Sequence, residues 1–183
     1  MIDPSEVSAV LVTRGNVPMD QILESIAEAG ITDVVLWNNA ERPNLSCYGR
    51  YAGIVEAKNG FIFHQDDDLL VPIPELLNQY NSREDRHAIV CNNRSDEEWR
   101  LTAMGALFHR DLADCFDPYL AAFGFTHDFC RVSDVVFAYQ HPYRRVVLGY
   151  EDLPWHSLEG SSMYLEEGHY AVRERARERV LAL

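Results

Sequence analysis

A chain of 183 residues, 47% of them apolar, is long enough for one globular domain with a real core and barely long enough for two. Its 29 acidic and 16 basic residues leave a net charge of −13, which repels duplex phosphates and excludes non-specific nucleic-acid binding by the whole surface, though not by a local basic groove. No apolar run nears the ~20 residues needed to span a bilayer, Met1 to Glu6 carry no basic region or apolar stretch of a signal peptide, and the four cysteines (Cys47, Cys91, Cys115, Cys130) form no C-x-x-C pair. The expectation is a protein with free thiols in a reducing cytoplasm.

The first predicted element is a strand over 8–13, where Ser8-Ala9-Val10-Leu11-Val12-Thr13 makes the near-continuous apolar run of a strand buried on both faces. It stops at Arg14-Gly15-Asn16. Pro18 suits the first turn of a helix, Ile22, Leu23, Ile26 and Ala29 share one helical stripe, and Gly30 stands where a glycine ends a helix. A second strand, 33–37, follows and stops at Asn38 and Asn39. Strand, helix and strand in this span form a βαβ unit with a right-handed crossover. Residues 40–48 are polar, contain Pro43 and read as a loop. A short helix is predicted within 49–58 and is broken by Gly60. A third strand, 61–64, runs directly into Gln65-Asp66-Asp67-Asp68. Further on, the pattern predicts a helix over 75–80, a strand over 87–91 and a strand-like stretch over 103–108. A helical turn follows at 118–122, then a helix over 133–139, a strand over 146–148 and a charged helix over 170–183. No internal repeat or linker divides the chain, so one domain is expected.

The chemistry centres on the acidic run. Three successive carboxylates destabilise one another unless something positive lies among them. A divalent cation resolves that conflict, and oxygen ligands suit Mg²⁺ or Mn²⁺. In extended chain Asp66 and Asp68 would face one side and Asp67 the other. The competing reading is a solvated acidic turn. The apolar strand leading in favours a site, because open α/β sheets bind ligands at the carboxyl ends of their strands.

These residues make the sequence resemble glycosyltransferases of the GT-A fold, which carry a D-x-D motif at a strand end. The resembling stretch is Tyr48-Gly49-Arg50-Tyr51, Ala57 and Phe61-Ile62-Phe63-His64-Gln65-Asp66-Asp67-Asp68, with Val10-Leu11-Val12-Thr13-Arg14 and Trp37-Asn38-Asn39 before it. In general look the chain is similar to short glycosyltransferases encoded by bacteriophages. The resemblance implies a single α/β domain with a central, mostly parallel sheet and helices on both faces. Residues 1–95 would form the nucleotide-binding half, and 96–183 the acceptor-binding half with the C-terminal tail. It implies that Thr13, Arg14, Asn38 and Asn39 lie beside the base and ribose of a UDP- or GDP-sugar. Arg50 would approach the base or diphosphate. Asp66 would contact hydroxyls, with Asp67 beside it, and Asp68 would hold Mn²⁺ or Mg²⁺ against the diphosphate. A late histidine often completes such a metal site; His169 is the first choice and His156 the alternative.

A catalytic base is required if configuration inverts. Asp134, ahead of Val135-Val136-Phe137-Ala138, is the leading candidate, although a carboxylate in a first helical turn is also favoured simply by the macrodipole. Asp128 is the reserve, and Asp152 of the Glu151-Asp152 pair a third. Arg173 and Arg177 share one helical face, and Arg175 and Arg179 another; such a helix is either a solvated charged surface or a tail from which Arg173 neutralises diphosphate. The acceptor would be a hydroxylated base in viral DNA, or a protein or glycan. For DNA, Arg144-Arg145 and the C-terminal arginines are the available basic clusters. Two rivals stand beside this reading. One is a sugar nucleotidyltransferase, although Arg14-Gly15-Asn16 is short for its glycine-rich triphosphate loop. The other is a catalytically silent nucleotide-sugar-binding module.

Overall fold

A computed structural model describes residues 1–83, 87–94, 99–156 and 167–183. The expected division at 95/96 falls in residues outside those described. Strand β1 (Val7–Thr13) is buried at every position. It pairs in parallel with β2 (Asp33–Asn38) on one side and β3 (Phe61–His64) on the other. With β5 (Ile89–Asn92), β6 (Ala106–His109) and β7 (Tyr143–Val146) these strands form one six-stranded sheet in the order β2-β1-β3-β6-β5-β7. Only β6 runs against its neighbours, so the sheet is mostly parallel, as predicted. A second, two-stranded sheet pairs β4 (Leu69–Leu70) with β8 (Glu151–Asp152). These pieces are two residues long, too short to leave a periodic signal in the sequence.

The period-two alternation of the strands divides the core into two layers. Val10, Ile62, Cys91 and Phe108 face a cluster completed by Tyr51, Phe129, Phe137, Val172 and Ala176, the last four from α5 (His127–Gln140) and α6 (His169–Leu181). Ala9, Leu11, Phe63 and Val90 face the opposite cluster with Ile22 and Ile26 of α1 (Asp20–Glu28) and Leu76, Leu77 and Tyr80 of α3 (Ile73–Asn81). Helices therefore cover both faces, and β1 reads as continuously apolar because both its sides are buried.

Several boundaries differ from the sequence reading for identifiable reasons. The helix expected within 49–58 is a single turn, α2 (Gly49–Ala52), followed by a 3-10 turn at Gly53–Glu56. Gly49 lies so close beneath Trp37 that an added Cβ would stand 2.4 Å from the indole, so this segment is shaped by packing rather than helix propensity. The strand expected over 103–108 begins only at Ala106. The late strand is Tyr143–Val146 rather than 146–148, because the Asn92 side chain accepts from Leu148 N (2.9 Å) and donates to Gly149 O (2.7 Å), drawing those residues off the ladder. The turn expected at 118–122 is α4 (Asp117–Phe123). Helix α5 starts at His127, capped by Thr126, and kinks at Val132 (φ −125°, ψ 20°). Asp134 thus lies just past the kink, in the first turn of the second helical piece, which continues α5.

Candidate active site

The carboxyl ends of β1 and β3 open into a cleft of about 550 Å³. Its floor is the acidic run. The run leaves β3 and turns instead of continuing extended, so the strand alternation expected for it does not apply: Asp66, Asp67 and Asp68 all line the cleft. Each meets a different partner. Asp66 accepts from Arg50 Nη2. Asp67 accepts from the Thr13 hydroxyl, which itself accepts from Gly15 N at 3.1 Å. Asp68 Oδ2 is 2.9 Å from His156 Nδ1.

The electrostatics of this floor are unbalanced. Burial, with the charge of Asp66 added, pushes the Asp68 carboxyl up to about 7 despite His156 beside it. Burial likewise raises Asp67, against the Thr13 hydrogen bond. The guanidinium of Arg50 is only 2% exposed, and its Nε and Nη1 have no hydrogen-bond acceptor among the described residues. The second oxygen of Asp68, Oδ1, is also buried and without a donor there. Beneath them His64 is held neutral by burial and by the charge of Arg50.

Helices α5 and α6 form the facing wall. His127, Arg131 and Asp134, spaced i, i+4 and i+7 on α5, all line the cleft. Asp134 is 3% exposed; its Oδ2 accepts from Arg173 Nη2 of α6 at 3.1 Å, while Oδ1 is buried with no donor among the described residues. Arg173 Nη1 is also 3.4 Å from His169 Nε2, and its guanidinium lies 5.7 Å from the Trp99 ring. Among the described residues, five arginines (14, 50, 94, 131 and 173) line the cleft of this acidic protein. Cys47 is also in the wall, its thiol pushed up to about 12 by burial, and so unreactive.

The cleft gathers Thr13, Arg14, Asn39, Arg50, Asp66, Asp67, Asp68, Asp134, His169 and Arg173 from the residues singled out in the sequence. Three others lie outside it. Asn38 turns its side chain to Ala40 N (3.0 Å) and fills the space below Gly15, whose φ of +81° suits glycine. Asp128 is on the outer side of α5, 3.7 Å from Arg175. Asp152, in β8, is half exposed and 3.6 Å from His156 Nε2. Asn39 lines the cleft but spends its amide on Leu45 N and Ser46 O, holding the loop between them. His156, not His169, meets Asp68. Of the basic pair, Arg145 donates to Trp99 O (3.1 Å), and both arginines lie on the edge strand β7. Sequence reasoning missed Arg131 and His127; their helical spacing to Asp134 was the available signal. It also missed Trp99, Arg94 and Tyr150, which come from irregular segments with no periodic signature.

An aspartate–histidine pair fits a hard or borderline divalent cation in chemistry, and the buried Oδ1 of Asp68 has no donor among the described residues. Among the described residues no group of three or more His, Cys, Asp or Glu is placed to hold a metal alone. That is the usual case for Mg²⁺, which takes one or two carboxylates and completes its shell with substrate phosphates and water. Among the described residues no helix is long and apolar enough to cross a membrane.

No family model matches the sequence, and no curated protein matches it either. Among solved structures, the inositol-1-phosphate CTP transferase from T. maritima is similar over 94% of this chain and 96% of its own, with a TM-score of 0.50 and 12% identity. S. aureus TarS 1-349 in complex with UDP covers 79% of this chain, which spans 59% of it, at TM-score 0.44 and 10% identity. A cytidylyltransferase from Leptospira borgpetersenii covers 95% of this chain and 76% of its own, at TM-score 0.44 and 13% identity. At such identities the first likeness establishes the fold alone: this chain is one α/β domain around a mostly parallel sheet, arranged as in that CTP transferase.

Proposed function

We propose that the protein is a divalent-metal-dependent glycosyltransferase that moves a sugar from a UDP- or GDP-linked donor to an acceptor hydroxyl. The observation that carries the reading is the division of the cleft: a carboxylate-rich floor short of positive charge, where Asp68 meets His156, faces a wall where Asp134 keeps one buried oxygen open. Asp68 and His156 would hold Mn²⁺ or Mg²⁺, which when bound neutralises charge on the departing nucleoside diphosphate. Arg50 supplies two uncommitted nitrogens, Nε and Nη1, to phosphate or hydroxyl oxygens. Asp134 Oδ1 accepts the proton of the acceptor hydroxyl, while Arg173 fixes the other oxygen and so the direction of the carboxylate. The wall arginines favour anionic phosphate over a neutral ligand.

A nucleotidyltransferase is the second reading, supported by the likeness to the CTP transferase. Against it stands the turn after β1. Thr13 Oγ1 caps Gly15 N and Asn38 packs under Gly15, so this turn is closed on itself and not an open phosphate cradle. Product analysis separates the two. Incubation with UDP- or GDP-sugars and Mn²⁺ should release nucleoside diphosphate. Release of pyrophosphate from a nucleoside triphosphate and a sugar phosphate, without diphosphate release from any nucleotide-sugar, would replace the first reading with the second.

A further inference from the structure

The three aspartates repel one another, and their turn has no regular secondary structure to fix it. Something must hold Asp68 in place before any ligand arrives. Part of the grip is local: Asp66 N donates to Ala103 O at 2.9 Å, and the Gln65 amide donates to Leu69 O at 2.8 Å. The rest comes from one distant segment, Glu151 to His156. Its strand pairs Asp152 with Leu69. Leu153 N then donates to Asp68 O at 2.8 Å, and the Trp155 indole N–H donates to Asp67 O at 2.7 Å. The carbonyls on both sides of Asp68 are thereby held by the same strap. A turn with His156 N on Leu153 O (2.9 Å) brings the imidazole to the Asp68 carboxylate.

We propose that Trp155 is a positioning residue for the candidate metal site: by fixing the Asp67–Asp68 peptide it aims the Asp68 carboxylate at the cation. This rests on the metal-dependent reading above. The Asp67 carbonyl belongs to the peptide plane whose nitrogen is that of Asp68, so holding that oxygen limits rotation about the bonds that set the Asp68 Cβ direction. Trp155 does not line the cleft, although His156 does, and its ring packs on the apolar layer under α1 and α3. Indole has a single donor, so its hydrogen bond can be removed without removing the ring. Outer hydrogen bonds of this kind commonly change metal affinity by about 10–100-fold.

The test is Trp155→Phe, read by calorimetric titration with Mn²⁺ alone. The expected result is Mn²⁺ binding weakened by about tenfold or more in a folded protein, with kcat/KM recovering at high Mn²⁺. A purely structural tryptophan would lower the melting temperature and leave the Mn²⁺ affinity of the folded protein unchanged, and that result overturns the proposal. Indole ¹H–¹⁵N signals of the unaltered protein keep the test open if the variant does not fold. The Trp155 signal should be protected from exchange and should shift on saturation with Mg²⁺; a rapidly exchanging or unmoved signal overturns the proposal. If the unaltered protein binds neither cation, the metal-dependent function itself fails, and this inference with it. Normal binding in both proteins sinks only the role of Trp155.

Discussion

The floor and the wall of the cleft each set a buried carboxylate against a basic side chain, yet their electrostatics differ. At the floor, Asp68 shares its space with Asp66 and Asp67, and its carboxyl is pushed up to about 7 by burial and the charge of Asp66 even with His156 at 2.9 Å. At the wall, Asp134 is paired with the permanently charged Arg173 at 3.1 Å. The floor is short of positive charge and the wall is balanced. In the proposed reading a divalent cation occupies the first and the general base the second.

The largest expected effect comes from breaking the floor. Asp68→Asn keeps the shape but removes the charge, and Mn²⁺-dependent turnover should fall to background, a loss of about 10³-fold or more, as several kcal/mol of transition-state stabilisation implies. Turnover that still rises with Mn²⁺ as before would take Asp68 out of the metal site. Next comes the wall. Asp134→Asn should lower kcat by about 10²–10³-fold while the donor still binds, since a general base acts after binding. Equal loss of donor affinity, measured by calorimetry, would reassign Asp134 to donor recognition.

Breaking the wall from its other side should cost stability more than chemistry. Arg173→Ala leaves Asp134 buried without its cation, and lost partners of this kind cost about 3 kcal/mol. Urea unfolding should show that loss, with kcat falling about tenfold as the carboxylate loses its fixed direction. The double variant Arg173→Met with Asp134→Asn should recover much of the stability and none of the activity. If Arg173→Ala unfolds at the same urea concentration as the unaltered protein, the pair is not the buried, balanced one described.

The floor was legible in the sequence and the wall only partly. Asp66 to Asp68 are contiguous and end an apolar strand, so local pattern and strand-end chemistry identified them together. The βαβ start was legible for the same reason: β1 and β2 each carry their own apolar signal. The Asp134–Arg173 pair joins residues 39 apart on two helices, and the Asp68–His156 contact depends on a two-residue strand pairing between β4 and β8. No periodicity reports such contacts. The preference for His169 over His156 had no view of the strap that returns residue 156 to the acidic loop; His156 lies against Asp68, and His169 against Arg173. The reversed β6 was hidden likewise, since strand direction is set by connections and not by composition.

The smallest expected effect tests whether helix face, rather than mere acidity near the sheet, selects the base. Asp128 lies six residues before Asp134 on α5 but turns outward, half exposed, to Arg175 at 3.7 Å, while His127, Arg131 and Asp134 face the cleft. An exposed ion pair of this length contributes less than about 1 kcal/mol. Asp128→Ala should therefore change kcat/KM by less than about twofold and shift the melting temperature by only a few degrees. Lowering the salt concentration should enlarge that shift slightly, because solvent ions screen this pair and not the buried one. A drop in kcat near that of Asp134→Asn would mean that α5 presents its other face to the substrate, and the proposed division of roles between floor and wall would have to be redrawn around Asp128.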